Sequence, residues 1–244
     1  MRPLRYDKHI GVCRLGSQFP RMKTEQKHRE EIVRFGKLLH QAGLVAATDG
    51  NLSVRLSDGS ILCTPTLMSK GLMEPDDMVI VDAEGKKLSG TRGVSSELAM
   101  HLLIYRKRRD INAVVHAHPP TATGFAAAGL ALDCALCAEL IVTLGSVPLA
   151  RYETPGTPEL AAALEPLVDD HEAILMANHG VVTYGVDLHT AFMNMETVEH
   201  FAKIALVTHQ LGKQQTISEH HVSKLREIRT KYLAHNHAAA QGKD

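Results

Sequence analysis

Three histidines form the pattern in this sequence that best supports metal chemistry. His116 and His118 stand two residues apart at the end of the apolar run 113–115. In a β-strand, residues i and i+2 point to the same face, so both imidazoles would project side by side. His179 lies between two β-rich segments, where a turn could bring a third imidazole to a sheet edge. Three imidazoles leave the fourth position of a tetrahedral zinc ion open, which is the pattern of catalytic zinc sites.

Glu97 is the candidate general base beside this metal. It follows Ser95 and Ser96, which predict the N-terminal cap of a helix that runs to about Arg109. Placement of a negative charge at the start of a helix would also explain a carboxylate here. His101, four residues further on, could pair with Glu97, and we expect it at the surface or in a supporting role rather than as a metal ligand.

Short polar turns and the same helix start form a candidate anion site. Free N–H groups at a helix N-terminus bind anions, and the hydroxyls of Ser95 and Ser96 would add donors. The segments Gly50-Asn51 and Thr64-Pro65-Thr66 are turns of the kind that present backbone N–H groups. The sequence contains neither a GxxxxGK[ST] loop nor a GxGxxG motif in a βαβ unit, so the common nucleotide-binding loops are excluded.

Helical and β-rich segments alternate along the chain and must position these residues. The predicted helices cover residues 24–44, 95–109, 121–128, 159–167, 188–211 and 218–233. The predicted strands cover residues 52–56, 61–64, 113–118, 174–176 and 181–184, with a further short apolar run at 78–82. Asp58-Gly59 is a hairpin turn signal between the first two strands. Hairpins together with helical crossovers predict an α/β layered fold with a mixed sheet.

The composition is that of an ordinary soluble globular protein. Of 244 residues, 44% are hydrophobic and 22% are charged, and 27 basic residues balance 27 acidic ones. No net charge draws the chain to nucleic acid or to a membrane, and no apolar run approaches the roughly 20 residues that span a bilayer. With no secretory signal at the start, we expect a cytoplasmic protein. The spacing Cys134-x-x-Cys137 predicts plain buried thiols rather than a metal or redox pair.

Six motifs in order resemble the class II aldolase/adducin-head family, a family of metal-dependent ketose-phosphate aldolases. They are Thr48-Asp49-Gly50-Asn51, Thr64-Pro65-Thr66, Ser95-Ser96-Glu97, His116-Ala117-His118, Tyr152-Glu153-Thr154-Pro155-Gly156-Thr157 and Asn178-His179-Gly180. The resemblance covers roughly residues 24–211. It divides the chain into an N-terminal extension (1–23), a single class II aldolase-like domain (24–235) and a disordered tail (236–244).

The resemblance implies a fold, a metal and an assembly. The fold is a three-layer α/β/α sandwich with a central mixed, largely antiparallel sheet, and the assembly is a homotetramer with active sites near the subunit contacts. Zn²⁺ is held by His116, His118 and His179, and Glu97 acts as acid and base. The substrate phosphate is held by Gly50, Asn51, Thr66, Ser95 and Ser96. Tyr232, on the last helix, resembles a C-terminal tyrosine that acts from a neighbouring subunit.

The implied reaction is reversible aldol cleavage of a ketose 1-phosphate to dihydroxyacetone phosphate and an aldehyde through an enediolate. Candidate substrates are of the fuculose-, deoxyribulose- or methylthioribulose-phosphate type. A 4-epimerase and a dehydratase or decarboxylase would use related chemistry and stay as alternatives. A non-catalytic adducin-like interaction module is a further alternative, but it predicts missing metal ligands, and all three histidines are present.

Two positions depart from the family pattern. The phosphate turn of the family often reads Thr-Gly or Ser-Gly, whereas Leu67 follows Thr66 here, and Ser69 or Lys70 could help to grip the phosphate. A tyrosine that assists proton transfer to the aldehyde in the family has no counterpart, because Cys137 occupies that region, with Glu139 nearby.

Overall fold

One mixed sheet of eight strands organises the fold. The computed structural model describes the backbone of residues 18–241 and the side chains of residues 25–234. The strands are β1 (Asn51–Arg55), β2 (Ile61–Cys63), β3 (Val79–Val81), β4 (Lys87–Ser89), β5 (Ala113–Ala117), β6 (Leu149–Ala150), β7 (Ala173–Met176) and β8 (Gly180–Gly185). Their order in the sheet is β4-β3-β2-β1-β5-β8-β7-β6. Only β6 and β7 run parallel, so the predicted mixed, largely antiparallel sheet is confirmed.

Helices cover both faces of this sheet. They are α1 (Gln18–Gln41), α2 (Leu98–Lys107), α3 (Pro120–Ala127), α4 (Ala138–Thr143), α5 (Pro158–Leu164), α6 (Leu188–Gln210) and α7 (Glu219–Gln241), with a short 3-10 helix at Pro75–Asp77. One apolar core joins the sheet to α1, α3, α4 and α6, and a second joins it to α2 and α5. The predicted three-layer α/β/α arrangement is therefore confirmed.

Strand β5 lies at the centre of the sheet and carries the His-x-His pair at its end. Ala113, Val115 and Ala117 face the core beneath α1 and α6, whereas Val114 faces the core beneath α2. Because side chains alternate along a strand, His116 points to the same layer as Val114. The α2 layer therefore receives the polar side chains of β5.

Several element boundaries differ from the predictions. Helix α1 begins at Gln18 rather than at residue 24, so residues 18–23 of the predicted extension are helical, and residues 1–17 lie outside the described range. Helix α7 continues to Gln241, so residues 236–241 are helical rather than part of a disordered tail. Strands β4 and β6 and helix α4 were not predicted, because two to six residues are too few to show a period.

The cysteines only partly match the prediction of buried thiols. Cys63 is buried, but Cys134 is exposed and Cys137 is half-buried at the start of α4. The prediction of a buried thiol was wrong for Cys134, which lies exposed in the loop before α4, whereas Cys137 packs partly buried against the core. Among the residues that the structure describes, no helix has the length and apolar character needed to cross a membrane.

Candidate active site

The three predicted ligand histidines lie together at one end of the sheet. His116 and His118 come from the end of β5, and His179 comes from the turn between β7 and β8. One ligand atom from each of the three lies within 4.8 Å of the others, and the ring centroids are 4.8–5.1 Å apart. Asn178, in the same turn, adopts a left-handed conformation with φ 54°, which suits an asparagine and closes the tight turn. The cluster is a candidate metal site.

Hydrogen bonds direct two of these imidazoles toward the centre of the cluster. His116 donates from Nδ1 to the carbonyl oxygen of Val181 at 2.9 Å, so its Nε2 carries the lone pair. His118 places Nδ1 3.4 Å from the carboxylate of Asp49 and Nε2 3.1 Å from Nε2 of His116. A carboxylate or carbonyl behind the imidazole is the usual arrangement around a metal-binding histidine.

Burial keeps the cluster in the state that binds a cation. Removal from water lowers the pKa of His116 to about 3, and burial together with the nearby His179 lowers the pKa of His118. Both rings are therefore neutral at physiological pH and offer lone pairs. His179 has a buried Nδ1 without a hydrogen-bond partner among the described residues. Neutral imidazoles that converge with an unsatisfied nitrogen fit a transition-metal ion such as zinc.

Glu97 lies against this cluster, as predicted. Its carboxylate is 2.9 Å from Nε2 of His179 and 3.4 Å from Nε2 of His116. Burial alone would raise the pKa of Glu97, but His116, His179 and a hydrogen bond from Asn51 outweigh it, and its pKa falls below the ordinary value. The carboxylate is therefore ionised and beside the nitrogen atoms of the candidate metal site, which suits an acid/base group.

The predicted serine cap of α2 was wrong. Glu97 itself occupies the N-terminal capping position of a helix that starts at Leu98. Ser95 instead accepts a hydrogen bond on its hydroxyl from the backbone N–H of Glu97 at 3.3 Å. The backbone N–H of Leu98 donates to the carbonyl of Ser95 at 3.2 Å, and an isolated bridge pairs Val94, just before this turn, with Pro65. This places the base, and not the serines, at the helix start.

The predicted anion-binding segments converge near the histidines. Gly50 has φ +73°, and a Cβ there would lie 2.6 Å from the carbonyl oxygen of His116, so only glycine fits. Thr66 donates its backbone N–H to the carbonyl of Gly93, two residues before Ser95. A Cβ added to Gly156 would lie 3.2 Å from Cβ of Ser96, so the loop at Gly156 packs closely against Ser96. The turns thus reach one end of the sheet from three separate parts of the chain.

Comparison with known proteins decides which family carries this arrangement. The profile of the Class II Aldolase and Adducin N-terminal domain family matches residues 30–206. The chain belongs to this family.

Class II aldolases and a decarboxylase are among the similar proteins. The 5-deoxy-D-ribulose 1-phosphate aldolase of Bacillus thuringiensis serovar kurstaki is 39% identical over 203 residues, covering 82% of this chain and 94% of that protein. The 3-oxo-tetronate 4-phosphate decarboxylase of Escherichia coli is 36% identical over 190 residues, covering 76% of this chain and 89% of that protein. A solved L-fuculose 1-phosphate aldolase has a TM-score of 0.77 and 32% identity, covering 82% of this chain and 94% of that chain. The protein is an enzyme of the class II aldolase type, a carbon–carbon lyase.

Leu67 occupies a position in the turn after Thr66 where the backbone conformation would suit glycine. Its backbone is left-handed, with φ 55°, and its side chain is 83% exposed. A leucine in this conformation is strained, whereas glycine adopts it freely. The turn therefore retains the conformation that a Thr-Gly sequence would take.

Lys70 supports the same turn from below and does not reach into solvent. The side chain is almost completely buried, at 1% exposure. Its ammonium donates to the carbonyl oxygens of Thr48 and Met68, at 2.9 and 2.5 Å. It ties the turn before Gly50 to the turn after Thr66, and burial lowers its pKa to about 8. A direct grip on a phosphate, as the sequence suggested, would require these bonds to break.

Tyr232 does not lie near the histidines of its own chain. It lines a small cavity with Arg108, Tyr184 and Gly185. Gly185 pairs with Ala113, at the end of β5 opposite to His116. Three strand residues span about 10 Å, so a role for Tyr232 in catalysis requires a second subunit. Cys137 caps the short helix α4, with the exposed Glu139 in its first turn.

His101 was expected at the surface or in a supporting role, and the surface interpretation was wrong. The residue is 2% exposed and lies between Ser53 and Asn51, with Nδ1 2.6 Å from the serine hydroxyl and Nε2 2.5 Å from the amide oxygen. Spacing provided the available signal, because Glu97, His101 and Tyr105 recur every four residues and so share one face of α2.

Proposed function

We propose that this enzyme is a zinc-dependent aldolase that cleaves 5-deoxyribulose 1-phosphate, or a closely related ketose 1-phosphate, to dihydroxyacetone phosphate and a short aldehyde. The observation that carries the proposal is the ionised carboxylate of Glu97 within 2.9–3.4 Å of two of the three clustered histidines. The similarity to a 5-deoxy-D-ribulose 1-phosphate aldolase, at 39% identity, supports this choice among ketose phosphates.

The ligands that we propose for Zn²⁺ are His116, His118 and His179. Bound there, zinc would supply a Lewis acid that withdraws electrons from the substrate keto group. Val181 and Asp49 hold two of the rings in orientation, at 2.9 and 3.4 Å. We expect His179→Ala to lose zinc and activity together, and full zinc occupancy in that variant would refute the ligand assignment.

Glu97 moves the proton on the carbon that becomes part of dihydroxyacetone phosphate. In cleavage, the C4 hydroxyl passes its proton to the ionised carboxylate of Glu97, the C3–C4 bond breaks, and the aldehyde departs. The electron pair left on C3 forms an enediolate, which takes a proton from the carboxyl of Glu97. In the reverse direction the carboxylate, which its depressed pKa keeps ionised, removes that proton from C3.

The phosphate would bind between the turns that converge near His116. We propose Gly50, Asn51, Thr66, Ser95 and Ser96 as its contacts. Thr66 and Ser96 are exposed, and Gly50 and Ser95 are half-buried, so their polar groups can reach a ligand. We expect the double variant Ser95→Ala/Ser96→Ala mainly to raise the KM for phosphorylated substrates. An unchanged KM would place the phosphate elsewhere.

The test of the function is a panel of ketose 1-phosphates incubated with zinc-loaded enzyme, with release of dihydroxyacetone phosphate followed by a coupled NADH assay. We expect turnover of 5-deoxyribulose 1-phosphate and its loss in Glu97→Gln, which should still bind zinc. Glu196→Gln, at an exposed position of α6, is the matched control and should retain activity. No release from any member of the panel would contradict the proposal.

Decarboxylation of a 3-oxo acid phosphate is the second candidate. The similarity to 3-oxo-tetronate 4-phosphate decarboxylases, at up to 36% identity, favours it specifically. Loss of CO₂ from a 3-oxo acid also leaves an electron pair that becomes an enolate, so the same carboxylate and histidines suit it. Release of CO₂ from a 3-oxo-tetronate 4-phosphate without aldolase activity would favour this alternative.

Tyr232 would act on a neighbouring site in a homotetramer. Because each site would then combine Glu97 of one subunit with Tyr232 of another, two defective variants can complement each other. When the two inactive variants Tyr232→Phe and Glu97→Gln are mixed in equal amounts and refolded together, we expect about a quarter of wild-type activity. This is the chance that a site in a randomly mixed symmetric oligomer receives both an intact Glu97 and an intact Tyr232. No recovery would confine the active site to one chain.

A further inference from the structure

A chain of buried hydrogen bonds leads from Tyr105 to the carboxylate of Glu97. The Tyr105 hydroxyl is 2.8 Å from the hydroxyl of Ser53, which is 2.6 Å from Nδ1 of His101. Nε2 of His101 is 2.5 Å from the amide oxygen of Asn51, and the amide nitrogen of Asn51 donates to Glu97 at 2.7 Å. Every member except Glu97 is at least nine-tenths buried.

The ionised end of the chain fixes every donor and acceptor. A carboxylate only accepts, so Asn51 must turn its NH₂ group to Glu97 and its oxygen to His101. His101 must then donate from Nε2. Burial lowers the pKa of His101 to about 4, so the ring is neutral and its Nδ1 accepts the Ser53 proton. The Ser53 hydroxyl in turn accepts from the Tyr105 hydroxyl. Within these hydrogen bonds, no donor faces a donor and no acceptor faces an acceptor.

Secondary structure places these five residues in register. Glu97, at the start of α2, and His101 and Tyr105, within it, are four residues apart and so lie on one face of the helix. Asn51 and Ser53 are two residues apart on β1 and so point to the same side of the sheet. The intervening Leu52 and Val54 face the opposite core. A polar stripe on the helix therefore meets a polar stripe on the strand, inside a layer that is otherwise apolar.

We propose that His101 is a positioning residue, which locks the amide of Asn51 so that Glu97 keeps one fixed orientation beside the histidine cluster. Without the Nε2–H donor, the Asn51 amide can rotate and bring its oxygen against the Glu97 carboxylate, which repels it. Asn51 thus has a role beyond phosphate contact, and its second amide hydrogen stays available to a ligand. The proposal that this orientation serves catalysis rests on the proposed function.

If His101 served only to fill space, any side chain of similar size at position 101 would support the same activity. The hydrogen-bond chain instead requires a donor toward Asn51 and an acceptor toward Ser53 at the same position. His101→Phe retains an aromatic ring and removes both groups. His101→Gln offers an amide that can donate to Asn51 and accept from Ser53. The pair of variants separates volume from hydrogen bonding.

The test compares kcat, KM and zinc content in these variants on the full-length zinc enzyme. We expect His101→Phe to lower kcat about 10- to 100-fold, the usual loss when a group behind an active-site residue is removed, with KM and zinc content retained. His101→Gln should recover most of the kcat. His189→Phe, at an exposed histidine of α6 that contacts Phe35, is the control and should retain the wild-type kcat.

A double-variant cycle distinguishes the lock from a general structural role. Since His101 acts through Asn51, adding His101→Phe to Asn51→Ala should not lower kcat further than Asn51→Ala alone. Multiplied losses, or equal losses in His101→Phe and His101→Gln, would overturn the proposal.

Crystal structures of the wild type and His101→Phe test the lock without turnover. We expect Glu97 to lose its Asn51 contact in the variant, and an unchanged Asn51–Glu97 pair would overturn the proposal. If no sugar phosphate is turned over but the contact is lost, the proposed function fails while the lock stands.

Discussion

Gly180 offers the sharpest test of how tightly the sheet holds the metal site. A Cβ at this position would lie 2.6 Å from the carbonyl oxygen of Ala117 and 2.6 Å from Cδ2 of His118. The backbone oxygen belongs to the centre of the sheet and has little freedom to move. We therefore expect Gly180→Ala to push the His118 ring away and to widen the contact between β5 and β8.

The size of the shift follows from the contact distances. To reach ordinary van der Waals contact at 3.4 Å from 2.6 Å, the ring of His118 must move by about 0.8 Å, beyond the roughly 0.5 Å that site geometry tolerates. Overfilling of a packed interior costs about 1–3 kcal/mol of unfolding free energy. We expect a loss of this size together with at least about a tenfold weaker affinity for zinc.

The measurement combines zinc titration with urea denaturation of the metal-free protein. Gly124→Ala is the matched control, because Gly124 lies within α3 and a Cβ there meets nothing within 4 Å. Alanine in an exposed helix should raise the unfolding free energy by about 0.5–1 kcal/mol and leave zinc affinity unchanged. Wild-type zinc affinity in Gly180→Ala would show that the His118 ring is not held by the Gly180 backbone.

Three further predictions concern stability. Burial lowers the pKa of Lys70 from 10.5 to about 8 in the folded protein, so between these pH values the unfolded chain binds more protons and the unfolding free energy should rise with pH. Lys70→Met should flatten this rise in urea denaturation at stepped pH, and equal slopes in the variant and the wild type would contradict the prediction. The buried carboxylate of Glu199 accepts hydrogen bonds from the backbone N–H groups of Thr121 and Ala122, so Glu199→Ala should lower the unfolding free energy by about 1–3 kcal/mol. The control Glu196→Ala, at an exposed position of the same helix, should change it by under about 0.5 kcal/mol. Leu67→Gly should leave the unfolding free energy unchanged or raise it by up to about 1 kcal/mol, because it removes the strain of a leucine in the left-handed conformation. The control Leu72→Gly, at an exposed leucine outside the left-handed region, should lower the unfolding free energy, and equal losses of stability in thermal melts would refute the strain argument.

The sequence predicted the clustering of the three histidines because that clustering depends on local rules. The alternation of a strand places His116 beside His118, and a tight turn between two β-rich runs delivers His179. The long helices α1 and α6 were found for a similar reason, since a helical period needs several turns to become visible. The ends of α1 were not found, because it starts at Gln18 in a segment with no apolar period, whereas α6 begins at the predicted Leu188.

The supporting residues were harder to predict because they depend on which elements meet. Ser95 and Ser96 have the composition of a helix cap, yet both lie in the turn before the helix, and Glu97 occupies the capping position. His101 could be read as a surface residue until α2 is placed over β1. Lys70 looks like a ligand contact in the sequence, but its bonds to two backbone carbonyls become visible only after both turns have folded together.

The register between β1 and β5 links the candidate metal site to Glu97. Asn51 pairs with His116 and Ser53 pairs with Val114, all with side chains toward α2. A shift of β1 by one residue would turn Leu52 toward α2 and bury Asn51 against the apolar core on the other face. Glu97 would then lose its donor while the histidines, which belong to β5 and the β7–β8 turn, stayed in place. The orientation of Glu97 therefore depends on a strand pairing that the clustering of the three histidines does not need, which explains why the candidate site requires polar residues on β1 beside an otherwise apolar sheet.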